Sequence, residues 1–151
     1  LISDLAEYSA PLKTKDILTA KIYNTIAKED SNAIIITHSA GNNDALKAMQ
    51  ILALDQQNLN NQLNIISLGS PISSESLTNA GDKVGVNIIN QYNHKNDPVT
   101  NLSNLKGANY LNLINPIKNI NDYHPMSTYT TVYHDQLAND LKRTVNLQYS
   151  K

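Results

Sequence analysis

With 151 residues, 12 Lys and Arg against 13 Asp and Glu, and a formal net charge of -1, the chain is long enough for one domain with a real core and carries no basic stripe of the kind that grips nucleic acid. It contains no Cys, which excludes disulfides and thiolate chemistry, and no apolar run approaches the roughly 18 residues that a membrane span needs. Phe and Trp are absent, so aromatic packing falls to eight Tyr, and the 22 Asn are scattered through periodic apolar segments, which marks a compositional bias and not a prion-like tract.

Residues 14 to 29 carry Ile17, Leu18, Ile22, Ile26 and Ala27 at helical spacing, with Thr14 placed to cap the N-terminus. Residues 33 to 37 form a short, continuous, β-branched run, the pattern of a strand covered on both faces in a parallel sheet. Residues 41 to 54 return to helical spacing through Ala45, Leu46, Met49, Leu52 and Ala53. A second apolar strand spans 63 to 68 and ends in Gly69-Ser70-Pro71. A short helix is expected over 74 to 80, stopped by Gly81, and a third strand over 86 to 92. Residues 110 to 114 read as a fourth strand closed by Pro116. Residues 126 to 141 read as a closing helix with Tyr129, Val132, Tyr133, Leu137 and Leu141 as its stripe. This alternation predicts one α/β domain over 1 to 151, an open, mostly parallel sheet flanked by helices. No internal repeat or linker divides it.

The segment Thr37-His38-Ser39-Ala40-Gly41 lies between the first strand and the second helix. A serine on such a turn takes strained dihedrals that lift its hydroxyl clear of the sheet. The helix N-terminus lies beneath it, where N–H groups and the dipole can hold a developing oxyanion. Close approach of the flanking backbone calls for small residues on either side of the serine. Gly41 satisfies this, and Thr37 does so less well. The bland alternative is that Ser39 only caps the helix. His38 should be structural and point away from the cleft.

Ligands of open α/β sheets bind at the carboxyl ends of the strands. There, Asp97 follows the third strand and is stiffened by Pro98, and His124 sits in the loop before the last helix. A serine hydroxyl needs a base within hydrogen-bond reach, imidazole can act as base and then acid near neutral pH, and a carboxylate orients the imidazole. His134 competes with His124 as the base, and Asp122 with Asp97 as the acid. His94 lies close enough to Asp97 to suggest a metal pair, but no further ligands stand at metal spacing, so no metal is expected.

Thr-His-Ser-Ala-Gly, then Ser-Leu-Gly-Ser-Pro after the next strand, then Asn-Asp-Pro-Val, then a loop His followed by Tyr129, resembles the serine lipases and esterases of the α/β-hydrolase superfamily over about residues 14 to 141. The order Ser, Asp, His is also theirs. The resemblance implies Ser39 as nucleophile, Asp97 as orienting acid, His124 as base and the backbone N–H of Ala40 as the first oxyanion donor. It implies hydrolysis of carboxylic esters, lipid or acyl, through an acyl-enzyme and without a cofactor.

The chain departs from the family in one respect. Residues 1 to 32 contain no strand ending in the His-Gly-type loop that supplies a second oxyanion donor. No signal peptide is visible and the chain opens with Leu1, so it is expected to be a processed form or the C-terminal portion of a hydrolase domain. An upstream segment or a second chain would then complete the sheet, or residues 1 to 12 would fold back to cover the open edge. The rival expectation is a hydrolase-like scaffold that binds a protein partner and does no chemistry.

Overall fold

The computed structural model describes residues 13–29, 32–94, 96–100 and 124–149. Three parallel strands, β1 (Ala33–His38), β2 (Leu63–Leu68) and β3 (Val86–Tyr92), form a sheet in the order β1-β2-β3. β1 pairs in register with β2 from Ala33 opposite Leu63 to His38 opposite Leu68. β2 pairs with β3, with an irregularity between Ile65 and Ile66. β2 is the middle strand and all six of its residues are buried. That is why it reads as a largely apolar run, interrupted only by Asn64 and Ser67, whose side chains are both hydrogen-bonded.

Alternation along β2 divides the core. Leu63 and Ile65 face a cluster with Ala45, Ala48, Met49, Leu52, Leu77 and Val84, while Ile66 and Leu68 face Tyr129 and Leu137. The first cluster lies under α1 (Thr14–Glu29), α2 (Gly41–Leu54) and α3 (Ser74–Val84). The second is covered by α4 (Met126–Val132) and α5 (His134–Tyr149). Both crossover helices, α2 and α3, share one face because the strand order advances in one direction across the sheet.

Several boundaries differ from the sequence expectation. α3 does not stop at Gly81 but runs to Val84 and ends at Gly85, which takes the left-handed conformation at φ 65° and ψ 44°. Gly81 lies inside the helix because a Cβ there would come within 2.5 Å of the Val86 carbonyl oxygen. It marks where helix and strand meet, not where the helix ends. The closing segment is two helices, not one. The break falls at Tyr133, whose hydroxyl donates to the Asn93 carbonyl at 2.9 Å and whose ring lies 4.9 Å from that of Tyr92. The preceding Thr130, Thr131 and Val132 are β-branched and favour the helix weakly, so the tertiary contact prevails. α5 then continues to Tyr149, beyond the expected end at 141.

The expected strand over 110 to 114, Asp122 and residues 1 to 12 lie outside the described residues. Among the described residues β1 pairs with β2 alone, so it is an edge strand there. Ile36 on it is 40% exposed. Among the described residues no helix is long and apolar enough to cross a membrane.

Candidate active site

At the carboxyl end of β1 the chain turns through Ser39 and Ala40 into α2. Ser39 has φ 53°, a left-handed value that costs a non-glycine residue roughly 1–3 kcal/mol and so must be held by its surroundings. It is held from below by Asn42, which is fully buried. The Asn42 Oδ1 accepts from the Thr37 hydroxyl and from the Ser67 hydroxyl, each at 2.6 Å. Its Nδ2 donates to the carbonyls of Ser39 and Leu68, each at 3.1 Å. The two carbonyls can only accept, so the amide orientation is determined, and all four of its hydrogen-bonding positions are used. The Ser39 N–H also donates to the Leu68 carbonyl at 3.1 Å. Asn42 thus ties the turn to both β1 and β2.

Ser39 is not the cap of α2. The N-cap is Ala40, with no side-chain cap, and the Ser39 hydroxyl donates instead to His124 Nε2 at 2.7 Å. An Ala here forgoes about 1 kcal/mol of capping, since it makes no side-chain cap hydrogen bond. Thr37 is less of a compromise than expected. A Cβ on Gly41 would lie 4.0 Å from the Thr37 Cβ, ordinary contact, while the Thr37 hydroxyl serves the Asn42 network.

His124 precedes α4. Its Nδ1 donates to Asp97 Oδ2 at 2.7 Å, which places the ring between carboxylate and serine with Nε2 as acceptor. The three residues expected to converge therefore form one hydrogen-bonded chain. Asp97 has no exposed side-chain surface and His124 keeps 15%. The other Asp97 oxygen, Oδ1, accepts from the Val99 N–H at 2.8 Å, an Asx turn across Pro98. Thr100 closes the turn by donating to the Asp97 carbonyl at 2.9 Å.

Tyr129 is the partner that sequence reasoning assigned to the core. It is buried, yet its hydroxyl donates to Asp97 Oδ2 at 2.6 Å and accepts from the His94 N–H at 3.1 Å. Burial, and then the hydrogen bond to Asp97, push its pKa well above the ordinary 10, so the hydroxyl remains a donor at any working pH. The signal was available: Tyr129 follows His124 by somewhat more than one helical turn at the head of the last helical segment. Gly69 makes room for the ring, since a Cβ there would stand 3.1 Å from it.

His38 corrects an expectation. It faces the site, because alternation along β1 puts it on the α4 side while Thr37 faces Asn42. Its Nε2 lies 2.7 Å from the His124 carbonyl oxygen, and its ring stacks on that of His124 at 4.8 Å with an interplanar angle of 30°. The other candidates lie elsewhere. His134 opens α5, its side chain 79% exposed beside Asp135. His94 has Nδ1 accepting from the Asn96 N–H at 3.2 Å. Among the described residues no three His, Asp or Glu side chains gather as metal ligands.

Comparison with family models, curated proteins and solved structures finds no match to this chain.

Proposed function

We propose that the chain is a serine hydrolase of carboxylic esters, lipid or acyl, of the α/β-hydrolase type. The observation that carries this reading is the continuous hydrogen-bonded path Ser39–His124–Asp97, starting from a serine at φ 53° on a strand-to-helix turn. In the first half-reaction Ser39 Oγ attacks the ester carbonyl as His124 Nε2 takes its proton. The imidazolium is stabilised by buried Asp97 and then gives that proton to the departing alcohol, leaving an acyl group on Oγ. Water enters, His124 removes its proton, and the acid leaves as Ser39 is restored. The N–H of Ala40 holds the tetrahedral oxyanion. The site uses no organic cofactor and no metal.

The second oxyanion donor is expected from a further polypeptide segment, upstream in the same protein or from a second chain, running along the side of β1 that has no partner strand among the described residues. Among the described residues β1 is an edge strand, which supports this. The same edge favours the rival reading, a hydrolase-like scaffold that engages a protein partner without chemistry. A fluorophosphonate probe separates the two, because it labels only an activated serine. We expect labelling of the intact chain at Ser39. Ser39→Ala should lose the label and several powers of ten in turnover of p-nitrophenyl butyrate while keeping its melting temperature. An unlabelled, correctly folded chain would establish the scaffold reading instead.

A further inference from the structure

We infer that His38 is a positioning residue for the base, holding the main chain of His124 to the backbone segment that carries the nucleophile. This rests on the reading of Ser39 and His124 as nucleophile and base. The ring of His124 is held at both nitrogens, by Asp97 and by Ser39, but the Ser39 bond is surrendered during turnover. The bond from His38 to the His124 carbonyl, 2.7 Å long, involves neither ring nitrogen of His124 and persists whichever partner Nε2 has. His38 is the last residue of β1 and precedes Ser39 directly. A contact from it therefore references the base to the nucleophile's own backbone, and a misplacement of about 1 Å there can cost on the order of 100-fold in rate.

The chemistry of the contact fixes the state of His38. A carbonyl oxygen only accepts, so Nε2 must carry the proton. The groups facing the ring are the stacked His124, the edge-on Tyr129 at 5.8 Å and Asp97. Burial first, and the neighbouring His124 as well, hold the His38 pKa below its ordinary 6.5 against the opposing pull of the hydrogen bond and Asp97. A neutral Nε2–H donor is what the reaction tolerates. A charged ring 4.8 Å from His124 would oppose the imidazolium at the step that forms it.

The test uses amides of two lengths in the full chain. The Gln side-chain amide reaches the place of His Nε2, whereas the Asn amide reaches only that of Nδ1. His38→Gln should keep kcat on p-nitrophenyl butyrate and the fluorophosphonate labelling rate within about threefold of the parent. His38→Asn and His38→Leu should lose about 10- to 100-fold in both, with KM unchanged and the melting temperatures of the two amide variants alike. Equal rates for Gln and Asn, or parental rates for all three, would overturn the inference while leaving Ser39 as nucleophile. A long-range 1H–15N spectrum at pH 8, with His38 assigned from the signal missing in His38→Gln, decides the contact without activity. The neutral Nε2–H tautomer is expected, and the Nδ1–H tautomer would overturn it. An unlabelled parent chain would instead defeat the proposed function, and the tautomer would still decide whether the contact exists.

Discussion

Three side chains around the serine, Asn42, Tyr129 and His38, hold the backbone of Ser39, the carboxylate of Asp97 and the backbone of His124, and on the proposed reading they position the reacting groups without touching them. Tyr129 is the most exposed to test. Its hydroxyl gives Asp97 Oδ2 a second donor in a place that water does not reach. Tyr129→Phe keeps the ring against Gly69 but leaves a buried carboxylate short of a hydrogen bond, and loss of a bond to a charged group costs roughly 1.5–3 kcal/mol. We expect that loss in urea unfolding, together with a fall in esterase kcat of about tenfold as Asp97 orients His124 less firmly. Parental stability in the Phe variant would show that the carboxylate finds another partner. Exchange of the competing histidines separates roles just as directly. His124→Ala should reduce turnover as severely as Ser39→Ala, and His134→Ala should leave it near parental, because the latter side chain stands in solvent.

At the level of elements, glycines divide according to what a Cβ would meet. Gly41 opens α2 with a negative φ, and a Cβ there finds nothing closer than 4.0 Å. Gly41→Ala should be neutral or stabilise by about 0.5 kcal/mol, because Ala loses less backbone freedom on folding. Gly81 lies in α3, where Ala would gain about 1 kcal/mol of helix propensity. The Val86 carbonyl 2.5 Å from its Cβ prevails, since backbone cannot yield without parting α3 from β3. Gly81→Ala should therefore destabilise by about 1–3 kcal/mol, the usual cost of overpacking. Thermal unfolding of the pair reads both signs, and a stabilised Gly81→Ala would mean that α3 shifts along β3 at little cost.

For the molecule as a whole, the titrating groups predict a stability plateau with two shoulders. Folding lowers the His38 pKa below 6.5, so the unfolded chain binds that proton more readily. The contribution of His38 is present above pH 6.5 and is lost as pH falls through the lower, folded value. Tyr23 and Tyr92 are pushed up to about 12 from 10, Tyr23 by burial and Asp44, Tyr92 by burial and its bond to Asp140. Their contribution is present below pH 10 and is lost as pH rises towards 12, with the half-exposed Tyr92 contributing less through solvent screening. Urea unfolding from pH 5 to 11 should show both shoulders, and His38→Gln should remove its share of the acid one. Absorbance at 295 nm should leave Tyr23, Tyr92 and Tyr129 un-ionised at pH 10. A single titration of all eight Tyr centred near pH 10 with the fold intact would contradict the environments of those three.

The segments 63 to 68 and 86 to 92 coincide with β2 and β3, and β2, buried along its whole length, leaves a compositional trace that needs no knowledge of its neighbours. The turn at Ser39 was equally legible, since a strand pattern, a serine between small residues and a helix pattern are all local. So was the candidacy of Asp97 and His124, each placed just after or before an element end. What local pattern could not settle was every choice made by a distant group. The break at Tyr133 depends on the Asn93 carbonyl, and the passage of α3 through Gly81 depends on where Val86 passes. His38 faces the site and not away from it; alternation along β1 sets its side, but the acceptor it meets there is a carbonyl 86 residues later in the chain. Asn42 and Tyr129 looked like one of many asparagines and a core aromatic. Sequence determined which residue types stood ready at the strand ends, whereas only tertiary structure decided which buried polar atoms found partners, since satisfying them requires groups that folding alone brings within 3 Å.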